Sequence, residues 1–335
     1  MNYKNILSTA LKILIAVGII FWLVQQDKFN VSQLKAFLVW DFLVIAILIM
    51  AVNLFMVSER WRLLLSTQSL HPKSFELYKL TLIGIFFNFA MPGGVGGDVV
   101  KAYYFYKDHP KSKATAISSV FVDRLLGLYT IIVMALIAML IDIQHVFNIE
   151  VLKNLFYIFT FIFVGFNIGL FCLFSKNPTV STTVTSIISK LPLKEKFQKL
   201  YASGQLYGAR IPLLIKVFFL SLISQSTAIA IMALIGHFSG VAADVPISTY
   251  FLVTPIGFMA TAIPISPAGV GVGQAAFFFL FNLYLGKTTE LGPIAITVYQ
   301  LLNLFFGLIG AYFYLVKSKK KDTLDTIEME LMNSK

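Results

Sequence analysis

Met91-Pro-Gly-Gly-Val-Gly-Gly-Asp98 and Pro264-Ile-Ser-Pro-Ala-Gly-Val-Gly-Val-Gly-Gln274 each interrupt a long apolar run near its middle. Proline removes a backbone donor and glycine loosens the chain, so each cluster strips a helix of internal hydrogen bonds. In hydrocarbon such a break is tolerated only where the bared backbone is covered by protein, lines a wet cavity or meets a ligand. Two breaks, one in each half of a chain, point to a transport site built from discontinuous helices.

Composition supplies the membrane. Of 335 residues, 58% are hydrophobic and only 13% charged, with mean hydropathy +0.81, which is far from a soluble domain. The net charge of +11 does not argue for nucleic acid, because the basic residues sit between apolar runs, where they orient spans and meet anionic headgroups. Cys172, the single cysteine, lies in an apolar run and reads as a packing residue. His71, His109, His145 and His237 are scattered without metal-ligand spacing, and the glycine clusters lack the Gly-Lys-Ser/Thr ending of a nucleotide loop. No metal and no cofactor is expected.

The run over 11–24 follows a Lys-bearing start with no small-x-small cleavage site, so it reads as an uncleaved first span. Further spans are predicted over 42–57, 116–141, 155–174, 213–238 and 291–316, most of them near the roughly 20 residues that cross a core of ~30 Å. The segments beside the breaks are shorter. Residues 77–91 and 98–108 reach roughly 22 and 16 Å at about 1.5 Å per residue, and 248–263 and 274–285 are similar. Each pair reads as a helical hairpin that enters and leaves on one side. The predicted fold is all-α: a polytopic integral membrane protein with six full spans plus two re-entrant helical hairpins.

Orientation follows from Lys and Arg. With the N-terminus cytoplasmic, only Lys28, Lys35, Lys153 and Lys287 of the 27 Lys and Arg fall outside and Arg124 falls within a span, so both termini are expected in the cytoplasm. The order span, span, hairpin, span then occurs twice with opposite starting sides, over about 1–150 and 151–316. That is an inverted repeat, and it brings two hairpins from opposite faces toward one midplane site. Residues 175–210 read as a cytoplasmic loop of two short amphipathic helices divided by Pro192, resting on the membrane interface or packed on the protein, and 317–335 as a basic, polar tail.

The chain resembles the membrane domain of the lysylphosphatidylglycerol synthase/flippase family and its standalone flippase-like relatives. The resemblance rests on Arg60-Trp61, on Pro92 to Asp98 followed by Lys101 and Tyr103-Tyr104, on Asp123-Arg124, and on Pro264 to Gln274. It covers nearly the whole chain, with departures from the family pattern at Gly94, Lys101 and Gln274. It implies movement of a lipid, or of a lipid-linked headgroup, between leaflets of the cell inner membrane. The bifunctional members add a soluble aminoacyltransferase domain; the sequence stops at Lys335, so lysyl transfer is not expected and the chain reads as non-enzymatic. Membrane lipids are the expected partners and nucleic acid is not; a separate lipid-synthesising enzyme and a second copy of the chain are further candidates.

Half-helices starting near Gly97 or Asp98, and near Gly273 or Gln274, aim N–H groups and a positive dipole end inward, where a phosphate fits. Arg124 sits about ten residues past Lys113, some ~15 Å into a span, where an unpaired arginine costs roughly 2.5–3.5 kcal/mol. Asp98 and the ligand phosphate are its candidate partners. Asp98 and Lys101 share a helix face, either as ligands or as a cap and its neutraliser. The candidate substrate-binding set is Arg60, Gly93, Gly94, Gly96, Gly97, Asp98, Lys101, Asp123, Arg124, Ser266, Gly269, Gly271, Gly273 and Gln274. Asn53, Asn88, Gln225, Gln300 and Asn303 are polar within apolar runs and suit either helix contacts or a hydrophilic cavity. An intramembrane transferase using Asp98 or Asp123 as base, and an ion-coupled transporter or channel, are the alternatives to lipid translocation.

The topology predicts that Gln144→Cys and Thr288→Cys react with an impermeant thiol reagent added to intact cells while Lys196→Cys does not. Labelling of Lys196→Cys in sealed cells contradicts it.

Overall fold

The structure is a computed structural model describing residues 21, 25, 31–90, 96–109, 113–175, 177–190, 192, 194–208, 210–240, 245–263 and 265–333. The expected first span over 11–24 lies, but for residue 21, outside the described residues. Among those residues the chain is helical, with no strand. A 3-10 turn over Val31–Phe37 leads into α1 (Trp40–Ser66). Helices α2 (Ser74–Ala90) and α3 (Gly96–Asp108) flank the first break, and α4 (Lys113–Ile141) and α5 (Ile143–Asn148) follow. The chain continues through α6 (Glu150–Phe174), α7 (Pro178–Ser189), α8 (Lys194–Gly208) and α9 (Ile211–Phe238). Around the second break lie α10 (Ile247–Thr261), a 3-10 turn over Pro267–Gly269 and α11 (Val272–Leu285), and α12 (Leu291–Asn333) is the last helix.

Among the described residues six segments are long and apolar enough to cross a membrane: Trp40–Ser66, Ala114–Ile141, Glu150–Phe174, Ile211–Phe238, Pro267–Leu285 and Leu291–Lys317. Five coincide with predicted spans. Pro267–Leu285 takes in the short second arm expected over 274–285: counted from Pro267 the apolar stretch reaches 19 residues, although Val270 and Gly271 separate the 3-10 turn from the 14 residues of α11. Helix α10, at 15 residues or about 22 Å, is too short to cross. Beyond its span α12 runs on to Asn333, through the stretch expected as a tail.

The connector over 175–210 forms the two predicted short helices. Asn177 caps α7 by accepting the Thr179 N–H at 2.9 Å, with Pro178 in the first turn, where its missing donor costs nothing. Helix α8 packs on α4, α6 and α7, burying Tyr201, while Ile187, Phe197 and Leu206 stay exposed.

Helices α1 and α9 pack along each other at the centre, tied by Asn53, whose Nδ2 donates to the Ser224 carbonyl at 2.6 Å and to Thr227 Oγ1 at 2.8 Å. Around this pair the contacts occur in matched sets. Helix α2 packs on α12 as α10 packs on α4; α1–α2 is matched by α9–α10, α2–α3 by α10–α11, and α3–α4 by α11–α12. Helix α6 stands at the edge with only Leu152 and Phe159 buried, and Phe161 and Phe171 turned outward, as for a surface facing lipid acyl chains.

Several crossings bring backbone against backbone. A Cβ added at Gly97 would collide with the Gly84 carbonyl, one at Gly292 with the Phe277 carbonyl, and one at Gly310 with the Leu82 carbonyl. Small residues permit such close helix approach in membranes, where dispersion contacts largely drive association. By contrast, a Cβ at Gly165 in α6 meets nothing within 4 Å. Gly310→Ala is therefore expected to cost about 1–3 kcal/mol through overpacking, while Gly165→Ala gains up to ~1 kcal/mol of helix propensity. Thermal unfolding of both variants in one detergent checks the contrast, and equal midpoints would remove the role given to the α2–α12 crossing.

Candidate functional site

The first break is held by side chains that reach across it. Gly97, at the start of α3, donates its N–H to Asn88 Oδ1 on α2 at 3.0 Å, which satisfies one of the donors a helix start leaves unpaired. Asp98 follows directly on α3, and Lys101 comes one turn later. Opposite stand Asp123 and Arg124 on α4, and Arg60 arrives from α1.

These five charges join in an alternating row. Arg60 grips Asp123 with two donors, Nε to Oδ1 at 2.7 Å and Nη2 to Oδ2 at 3.1 Å. Lys101 Nζ lies 3.8 Å from Asp123 and 3.6 Å from Asp98. Asp98 in turn pairs with Arg124. The order is Arg60, Asp123, Lys101, Asp98, Arg124, with cations at both ends and one positive charge in excess. Arg60, Lys101 and Asp123 are buried, Asp98 is partly covered, and the Arg124 side chain is 37% exposed. Burying ions costs several kcal/mol each unless every one is paired, and alternation provides those pairs.

Neighbours fix the row in place. Lys101 Nζ sits 4.5 Å from the centre of the Trp61 ring, and Trp61 Nε1 donates to Ser119 Oγ at 3.0 Å. Arg60 Nη1 also reaches Ser221 Oγ at 3.3 Å, and its guanidinium lies against Gly127, where a Cβ would sit 3.3 Å from Nη1.

The second break carries no charge and closes on itself. Ala268, Gly269 and Gly271 have φ of 49°, 72° and 85°, so the chain turns through left-handed geometry that only glycine takes without cost. Gln274 Oε1 accepts the Gly271 N–H at 2.7 Å, while Gln274 Nε2 donates to Thr297 Oγ1 at 2.9 Å and to Gln300 Oε1 at 2.8 Å. Gln300 Nε2 then donates to the Ala268 carbonyl at 3.2 Å. Gln274 and Ser266 are 1% exposed, and the Ser266 hydroxyl has no hydrogen-bond partner among the described residues.

Two cavities lie near the breaks. The first, about 260 Å³, opens among α2, α4, α10 and α12, with Asn88, Arg124, Thr261, Ala268, Gln300 and Asn303 among its walls. The second, about 280 Å³, lies among α1, α4 and α9, with Asn53, Arg60, Arg124, Ser224 and Gln225 among its walls. Arg124, Phe258 and Tyr299 line both. The Phe258 and Tyr299 rings meet at 4.9 Å between centroids and, lining both cavities, form an aromatic partition.

The sequence-derived residues thus divide. Arg60, Asp98, Lys101, Asp123 and Arg124 converge, and of these Arg60 and Arg124 face cavities. Gly96 and Gly97 begin α3, whereas Gly93 and Gly94 lie outside the described residues. Ser266, Gly269, Gly271, Gly273 and Gln274 shape the second break from behind, and the cavity wall there is made instead by Thr261, Ala262, Ala268 and Gln300. All five amides singled out in apolar runs line one cavity or the other. Phe258 and Tyr299 had no signal in a chain that is 15% aromatic. Among the described residues no group of three or more His, Cys, Asp or Glu is placed to hold a metal.

A comparison with protein families matches residues 9–311 to the lysylphosphatidylglycerol synthase TM region. No curated protein and no solved structure matches the chain.

Asp123→Asn leaves Arg60 buried without its carboxylate, so a loss of about 3–5 kcal/mol is expected. Adding Arg60→Gln should recover most of it, because the orphaned charge goes too. Denaturation of the single and double variants in detergent checks this, and a double variant no more stable than the single contradicts the pairing.

Proposed function

Because the chain belongs to the lysylphosphatidylglycerol synthase TM region family, we propose that this multi-pass membrane protein translocates a polar lipid between leaflets. The cargo is an anionic or aminoacylated phospholipid, or a lipid-linked headgroup, and no chemical change is made to it. One observation carries this reading: Arg124, at the end of a row with one excess positive charge, lines both cavities beside the Phe258–Tyr299 partition. A headgroup phosphate in either cavity meets the same guanidinium while its acyl chains stay in hydrocarbon.

The row also offers a way to receive and release an anion. A phosphate at Arg124 competes with Asp98 for its N–H groups, and Asp98 freed from Arg124 still has Lys101 at 3.6 Å. Exchange of partners therefore leaves no buried carboxylate alone, which keeps the step shallow. The same pairing disfavours Asp98 and Asp123 as bases of an intramembrane transferase, since each is held by cations.

The matched helix contacts support an inverted repeat with re-entrant hairpins entering from opposite faces, and the Lys/Arg bias supports a cytoplasmic-membrane protein with both termini inside. A separate enzyme that makes the lipid is its natural supplier.

In proteoliposomes the protein should equilibrate a labelled anionic or aminoacylated lipid across leaflets. Arg124→Ala and Asp98→Ala should each slow this by about tenfold, equivalent to ~1.4 kcal/mol of barrier, with unchanged extraction and thermal midpoint. Wild-type rates in both variants would remove the row from the transport path.

A further inference from the structure

A third depression, of about 380 Å³, lies at the far end of α2 from the break and shares no wall with the two central cavities. Its floor is apolar: Leu80 and Ile83 from α2, Phe313 and Val316 from α12. Its rim is charged, with Lys73, Lys79 and Lys317 facing Glu76. Lys317 is the last residue of the Leu291–Lys317 span, so the groove sits where hydrocarbon gives way to headgroups.

The lysines differ in what they are already doing. Lys317 pairs with Asp108 and lies 5.2 Å from the Tyr104 ring centre, and Glu76 lies 3.9 Å from His109 Nδ1. Lys73 and Lys79 have no carboxylate within 4.0 Å among the described residues. Lys79 is half-buried over the groove, its Nζ 4.4 Å from the Phe75 ring centre and 5.4 Å from that of Phe313. A lysine that merely snorkels stretches its ammonium away from apolar surface into water. Here two rings hold the ammonium at the mouth of an apolar trough, and Phe75 itself is 60% exposed.

We infer that this groove binds one anionic phospholipid as a resident ligand distinct from the transported lipid, its phosphate between Lys73 and Lys79 and an acyl chain along the α2–α12 seam. Charge complementarity selects the occupant: the two lysines without carboxylate partners attract a headgroup of net negative charge, whereas a zwitterionic headgroup brings its own cation against them. The floor demands a hydrocarbon chain, which free phosphate lacks. The bound lipid ties the outer end of the first hairpin to the last span.

Native mass spectrometry of the detergent-purified full chain with phosphatidylglycerol or phosphatidylcholine tests this. The expected result is one tightly retained phosphatidylglycerol adduct, weakened at least about fivefold in Lys73→Gln/Lys79→Gln, kept in Lys79→Arg, kept in Arg124→Ala, and indifferent to millimolar inorganic phosphate. Phosphatidylglycerol should also raise the thermal midpoint of the wild type and not that of the double variant, whose lipid-free midpoint serves as the folding control. Equal retention of both lipids, or wild-type retention by the double variant, overturns the site. Loss of the adduct in Arg124→Ala also overturns it, by placing the lipid in the central cavities. Failure of the transport assay leaves the groove untouched, since none of its residues lines those cavities.

Discussion

A helix that stops inside hydrocarbon leaves backbone groups that water cannot reach, and other parts of this protein have to satisfy them. At the first break Asn88 accepts the Gly97 N–H, and at the second Gln274 and Gln300 serve the Gly271 N–H and the Ala268 carbonyl. Three amide side chains thus stand in for missing helix turns. Their long-range partners explain much of the packing, because Gln300 can reach Ala268 only if α12 lies against the second break, and Asn88 can reach Gly97 only if α2 and α3 fold back on each other.

The two breaks have opposite characters. The second consumes its polar groups internally and offers a neutral wall. The first borders a row of five charges from α1, α3 and α4, which costs desolvation and must be repaid by pairing at every link. Such a row is a poor way to stabilise a membrane protein, for which apolar contacts do better. Its position beside two cavities makes sense if the charge is there to meet an anion, and the uneven burial, deep from Arg60 through Asp123 to Lys101 and shallowest at Arg124, gives the row an anchored end and an accessible end.

Much of the fold was legible because proline, glycine and hydropathy speak locally. Residues 77–91 and 248–263 became Ser74–Ala90 and Ile247–Thr261, with boundaries shifted by a few residues. Pro267-Ala-Gly269 reads as loop, yet it forms a 3-10 turn that brings the apolar stretch ahead of and through α11 to 19 residues. For the site, residue types were readable and partners were not. Arg60 and Asp123 are 63 positions apart, and nothing in either neighbourhood announces the other. Arg124 was expected to seek Asp98, since a deep arginine needs a carboxylate and few are near. The aromatic partition escaped notice because Phe258 and Tyr299 become distinctive only when α10 and α12 bring their rings together.

The crossing of Gly84 and Gly97 has a geometric corollary. Where side chains separate two helices, their spacing drifts with every substitution, and the walls of anything between them drift too. Where main chain rests on main chain, the spacing is a constant of the peptide group, indifferent to sequence on either side. The first hairpin therefore works as a gauge block: it fixes how far Asn88 stands from the start of α3, and through that span the width of the chamber into which Asn88 and Arg124 both project.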